Sequence, residues 1–151
     1  MDGRTLFFYL ATVNTPAMAL EIPGVGSQYA FSSRDGSGAY LNGSNTYKLN
    51  IPANPPAQKF WSFVVYDPQT RSMLQTGEMP YPSKNNKRNA DMVKNADGSI
   101  DLYFGPQAPA GMEANWVKTV PGKGWFGIFR LYGPGQQWFD RTWKLGNIEK
   151  V

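Results

Sequence analysis

The sequence predicts a mainly β, antiparallel fold, a sandwich or a barrel, with one short helix at its N-terminus. Two observations carry this. Gly (16) and Pro (12) interrupt the 151 residues so often that few stretches are long enough for a helix, and short apolar runs between frequent turns are the pattern of sandwiches and barrels. Two of these runs, 60–66 and 125–132, are apolar at successive positions rather than alternate ones, as in strands covered on both faces, which are central or lie under another element.

Residues 2–14 read as the helix. Asp2 can accept the first free main-chain N–H groups as an N-cap, and Leu6, Tyr9, Leu10 and Val13 share a face at helical spacing. Thr15-Pro16 ends it, because the residue before proline avoids the α region. Strands follow at 28–32, 46–51, 60–66, 99–104, 125–132 and 137–141, with weaker ones at 72–75 and 91–94. Segment 99–104 alternates, with Ile100, Leu102 and Phe104 inward and Ser99, Asp101 and Tyr103 outward, as a half-exposed strand does. Asp35-Gly36, Asn42-Gly43 and Asp97-Gly98 supply hairpin-type turns. Pro68 in Asp67-Pro68-Gln69-Thr70 fixes the φ of a type I turn. Segments 79–89 and 105–113 read as long loops. Nothing resembling a repeat or linker divides the chain, so the expectation is one domain over 1–151, with the sandwich at about 28–143.

The composition removes whole classes of chemistry. With no His and no Cys, this chain cannot by itself build a Ser-His-Asp triad or a Cys-His pair, a zinc or copper site of imidazole and thiolate, or a disulfide. Carboxylate, Lys, Tyr, Ser or Thr chemistry remains, or a metal held by oxygen. The net charge of +4 is scattered. Its one local cluster, Lys84, Lys87 and Arg88, lacks interleaved aromatics and reads as a solvated loop rather than a nucleic-acid footprint. The apolar run 6–13 is too short to cross a bilayer and has no basic stretch ahead of it. The expectations are therefore no membrane, no nucleic acid, no cofactor, and a cytoplasmic location for the chain as given.

Phe60-Trp61-Ser62-Phe63-Val64-Val65-Tyr66-Asp67 resembles a block of the family called domain of unknown function 1214. Three more blocks fit in the same order: 95–104, then Asn115-Trp116 with Pro121-Gly122-Lys123-Gly124-Trp125-Phe126, then Phe129-Arg130-Leu131-Tyr132-Gly133-Pro134. The resemblance covers nearly the whole chain. It implies a jelly-roll-like β-sandwich, and no activity. It also implies an N-terminal partner, domain of unknown function 1254, to which such domains are commonly joined in exported or periplasmic proteins. That partner is expected to be missing here, since Met1 stands where the C-terminal half would begin.

Among polar residues Arg130 is the most informative, because it interrupts an apolar strand and a charge there must be paired or reach solvent. A carboxylate could hold it by two forked hydrogen bonds, with Asp67, Asp97 and Asp101 as the candidates; the alternatives are that it binds an anionic ligand or snorkels to the surface. Asn95, Asp97, Ser99 and Asp101 alternate like oxygen ligands, but Pro106 stands where a calcium loop needs Glu, so no metal is expected. Asp67, Asp97, Asp101 and Glu113 could supply a carboxylate pair, and Ser62 or Ser72 a nucleophile. Trp116, Trp138 and Trp143 lie beside loops and are candidates to face a ligand or a neighbouring domain. Three functional readings follow. The first is a non-catalytic binding or interaction module. The second is a hydrolase of carboxylate or Ser chemistry, its site shared with an N-terminal domain or not. The third is a carbohydrate-binding sandwich. The crowded apolar side chains of Leu6, Phe7, Phe8, Tyr9, Leu10 and Val13 further suggest a homo-oligomer, because large exposed apolar patches mark interaction sites.

Overall fold

The alternating and doubly apolar runs become the strands of a β-sandwich. A computed structural model describes residues 2–7 and 19–151. Among these residues, β1 (Ser27–Ser32), β3 (Ala57–Tyr66), β4 (Ser83–Asn85) and β7 (Phe126–Pro134) form one sheet in the order β1-β7-β3-β4. The second sheet, in the order β6-β5-β2-β8, is made of β2 (Tyr47–Ile51), β5 (Ile100–Gly105), β6 (Trp116–Lys118) and β8 (Ile148–Lys150). Every pairing is antiparallel except β5 with β6, which run parallel. Two short helices accompany the strands, α1 (Gly3–Phe7) and α2 (Gln136–Phe139), with a 3₁₀ turn at Glu113–Asn115.

The core lies between the sheets. Trp61, Phe63 and Val65 of β3 and Phe129 and Leu131 of β7 face Leu49, Ile51, Leu102 and Phe104 of the second sheet. Phe63 meets Phe104 at 4.8 Å between ring centroids, and Trp125 meets Phe104 at 5.1 Å. Gly127 makes room for this. A Cβ there would lie 2.2 Å from the Phe63 ring, so only glycine lets the ring lie flat on the central strand. On the edge strand β4, Lys84 pairs with Phe63 and shares its inward face, where it is 8% exposed. Burial pushes its amino group below the usual lysine value, while the charge of Asp91 pulls the other way.

Several expectations held. Asp2 caps α1, its carboxylate accepting the N–H groups of Arg4 and Thr5 at 2.9 Å each. The rest of the expected helix at 2–14 lies outside the described residues, as do the side chains of Leu6 and Phe7 and the whole of Phe8, Tyr9, Leu10 and Val13. The turn at Asp97-Gly98 forms, with Gly98 at φ +81° and its N–H bonded to Asn95 O.

Others need correction. Segment 137–141 is not a strand: α2 begins directly after Gly135, with Trp138 N–H bonded to Gly135 O and Asp140 N–H to Gln136 O. In 72–75 only Met73 bridges to Tyr66. Segment 91–94 makes no ladder because a side chain stands in for one: Asn115 takes both the N–H and the C=O of Val93. The 79–89 loop contains β4, and the short strands β6 and β8 lie where none is expected. The two doubly apolar runs are the central strands β3 and β7 of the first sheet, and what covers their outer side among the described residues is local. Their outward residues Phe60, Tyr66, Phe126, Ile128 and Tyr132 are half-buried, covered largely by one another. Among the described residues no helix is long and apolar enough to cross a membrane.

Candidate functional site: an aromatic sheet face around Arg130

The two outer faces of the sandwich differ in chemistry. The outer face of the second sheet carries Lys48, Asn50, Asp101, Lys118 and Glu149 around the rings of Tyr103 and Trp116, the mainly polar pattern of a surface facing water. The first sheet instead turns outward two apolar bands with one polar row between them. Strand register sets Tyr29, Arg130, Ser62 and Asn85 side by side across four strands. On one side of that row lie Tyr132 and Phe60, stacked at 4.1 Å and 15°. On the other lie Phe31, Ile128 and Val64, then Phe126 stacked on Tyr66 at 5.2 Å and 13°. Tyr29 is 58% and Phe31 63% exposed. Phe31 and Phe126 also wall a hollow of about 550 Å³ shared with Tyr40, Trp125 and Arg71.

Arg130 sits at the centre of this face, and its expected carboxylate partner is absent. Its Nη2 donates to the Tyr66 hydroxyl. Its guanidinium lies 5.6 Å from the Tyr29 ring centroid and 5.7 Å from that of Tyr66, within reach of cation–π attraction. Its Nε–H is buried and has no hydrogen-bond partner among the described residues. The three carboxylates proposed to hold it are engaged elsewhere. Asp67, at the end of β3, is paired with Lys123 at 2.6 Å. Asp101, on the outer face of the other sheet, accepts from Asn50 at 2.7 Å and lies 3.9 Å from Lys48. Asp97 accepts the Ser99 N–H in its turn.

This changes the expected cost of removing Arg130. Taking one member from a buried ion pair costs about 3–5 kcal/mol. Here Arg130→Met loses one hydrogen bond and two ring contacts of about 0.5–1 kcal/mol each, and it relieves the unpartnered Nε–H. The variant should therefore stay within about 1 kcal/mol of the parent in urea unfolding. A loss of several kcal/mol would mean that a buried anion had been left behind.

The carboxylates do not assemble into a reactive pair. Hydrogen bonds hold Asp67 below the ordinary carboxylate range, first from Lys123 and then from the Gln69 N–H. The Ser99 hydroxyl and N–H do the same for Asp97. A general acid must move the other way. Glu113 accepts the Gly111 N–H within its own turn. Ser72 shares a hydrogen bond with Thr70, and Ser62 is buried beside Arg130 in the polar row. Among the described residues no group of three or more acidic side chains could hold a metal ion.

The three tryptophans are half-buried and tied to the main chain or to each other. Trp116 Nε1 donates to Gly105 O and Trp143 Nε1 to Ala53 O. Trp143 stacks on Phe129 at 6.0 Å and meets Trp138 at 6.4 Å. The exposed rings are instead Tyr29, Phe31, Tyr40 and Tyr81. Sequence reasoning missed these because the face exists only once β1 is known to lie beside β7. A second cleft of about 470 Å³ opens between β1 and β8 over Leu49, Phe63 and Gly127. Its rim charges are occupied: Arg34 bonds Gly38 O and covers Tyr40, and Asp35 accepts three hydrogen bonds.

A family model described as Protein of unknown function (DUF1214) matches residues 26–136, which include strands β1 to β7 and every residue of the aromatic face. No curated protein matches. Among solved structures, the chain is similar to the VPA0106 protein from Vibrio parahaemolyticus, with a TM-score of 0.72 and 23% identity over 95% of this chain and 33% of that one. An uncharacterised protein from Burkholderia cenocepacia matches with a TM-score of 0.49 and 19% identity, over 85% of this chain and 36% of that one. The chain thus spans about a third of the length of each.

Proposed function

Because the chain belongs to the family described as Protein of unknown function (DUF1214), we propose its function from its surface: it is a non-catalytic interaction module that docks a second polypeptide domain on its aromatic sheet face. The observation that carries this is the contrast between the two outer faces, one mainly polar and one built of aromatic bands around Arg130. Contiguous apolar surface of this kind marks an interaction site. The fold of the Vibrio protein is matched over only 33% of its chain, so there the same sandwich is joined to further polypeptide. The occupant we assign is such a domain, of the kind called domain of unknown function 1254. The carboxylates bound into turns, with two of them lowered rather than raised in pKa, support a non-catalytic role.

The test is binding of the neutral dye Nile red to the native protein. Binding is expected, and the double variant Tyr29→Ser, Phe31→Ser should lose most of it while melting as the parent does. Failure of the parent to bind, or binding that survives in the variant, overturns the assignment of the face. Turnover of nitrophenyl esters or glycosides that disappears in Asp67→Asn or Ser62→Ala would overturn the non-catalytic part.

A further inference from the structure

We infer that the segment docking on this face brings an Asp or Glu carboxylate to Arg130, with apolar side chains on either side. The inference rests on the docking reading above and adds the chemistry of the partner. A guanidinium has five N–H donors, and only the one to Tyr66 is matched by a hydrogen bond among the described residues. The Nε–H is buried without a partner. No Asp or Glu occupies any position on the face, as the register of β1, β7, β3 and β4 shows, and the carboxylates Asp67 and Asp101 already hold other cations. An apolar partner laid over this surface would strip the remaining water from the guanidinium, and a charge buried unpaired is strongly unfavourable. A partner that covers the face must therefore supply the anion.

The surroundings narrow the form of that partner. The polar row Tyr29-Arg130-Ser62-Asn85 is a single residue deep, with aromatic bands above and below it. The matching segment has one acidic or hydrogen-bonding position between apolar ones. Cations also stand at both ends of the face. Lys87 lies 5.4 Å over the Phe60 ring, and Arg71 lines the hollow beside Phe31 and Phe126. An acidic segment is thus favoured along the whole face, and complementary charge of this kind chiefly fixes partner choice and orientation. A single-stranded nucleic acid would need free ring faces on which to stack its bases. The rings of Phe60, Tyr132, Tyr66 and Phe126 are stacked on each other, which leaves Tyr29 and Phe31 as the exposed rings on this face, too few for a run of bases, so a protein carboxylate fits better than a phosphate.

The experiment titrates the intact chain, at low salt, with three probes followed by nitrogen-15 correlation spectra. They are a blocked seven-residue peptide with a central Glu flanked by Leu, Val and Phe, its Gln counterpart, and a ten-nucleotide oligodeoxythymidine. The Glu peptide is expected to shift the Arg130 Nε–H resonance and to bind about tenfold more tightly than the Gln peptide, as a charge-assisted hydrogen bond permits. Arg130→Met should erase that preference. Equal binding of the two peptides, lost in Tyr29→Ser, Phe31→Ser, would overturn the carboxylate inference and leave the docking face standing. Tighter binding of the oligonucleotide than of either peptide would overturn it in favour of a nucleic acid. Binding of none of the probes would overturn both readings. The comparison of Glu with Gln on the native protein does not depend on any variant folding.

Discussion

Asn115→Ala should cost about 2–4 kcal/mol of folding stability, because it removes three hydrogen bonds to the main chain at about 0.5–1.5 kcal/mol each. Asn115 is 1% exposed. Its Oδ1 accepts the Val93 N–H at 2.7 Å, and its Nδ2 donates to Val93 O and Asp101 O at 2.8 Å each. One amide therefore does for Val93 what a neighbouring strand would do, and it continues the parallel ladder of β6 back along β5 by one further bond. Alanine leaves all three main-chain groups without this partner. Asn115→Asp separates the amide from its volume. A carboxyl facing two carbonyl oxygens has its folded pKa raised above the unfolded value near 4. The penalty should be smallest below that pH, where both states are protonated, and should grow as pH rises through it. Urea unfolding at pH 3 and pH 7 measures the difference. An Asp variant equally stable at both would show that the donors are not what matters.

The second large effect is expected at Phe129. Phe129→Ala removes a ring with no exposed surface from the central strand of the first sheet. Phe129 lies 5.7 Å from Trp61 and 6.0 Å from Trp143, and beside Phe63 and Ala30 in register. Loss of a buried Phe in such a setting costs about 3–5 kcal/mol, or on the order of 10 °C in melting temperature at this size. The cavity would also free Trp143, whose indole stacks on this ring, so tryptophan emission should shift to the red in the folded variant. Phe129→Leu keeps most of the apolar volume and should recover more than half of the loss. A variant that melts with the parent and keeps its emission would show that Trp61 and Trp143 can close over the gap.

The fold was legible where strands are long and their apolar pattern is their own. Strands β2, β3, β5 and β7 each carry enough inward apolar positions to be read alone, whereas β1 was read from Tyr29 and Phe31, which point outward. Strands β4, β6 and β8 have three residues each, and Ser83-Lys84-Asn85 has no apolar residue at all. Such strands exist because a neighbour offers free main-chain groups, which no local pattern records. Segment 91–94 failed in the opposite sense, having a strand-like look but finding its partner in the Asn115 side chain. The doubly apolar runs were seen correctly as central strands, and among the described residues rings from adjacent strands shield one another on their outer side. Arg130 stood out for the right reason, a charge within an apolar strand. Its surroundings depend on β1 lying beside β7, and strand order is a long-range property that the spacing of residues does not encode.

Lys84 has a consequence for assembly of a different kind. β4 is the outer strand of its sheet, the edge at which another chain could be added to make a continuous ribbon, and there Asn89 already takes the N–H and C=O of Asn85. Three features oppose such growth. The strand is three residues long. Pro82 precedes it and has no N–H to give. Its middle residue points an amino group inward, where each added strand would bury that charge more deeply. An inward charge on a short edge is a known defence against strand-to-strand polymerisation. Beside an outer face that carries exposed rings such as Tyr29 and Phe31, such a guard on the edge strand works against growth into fibres.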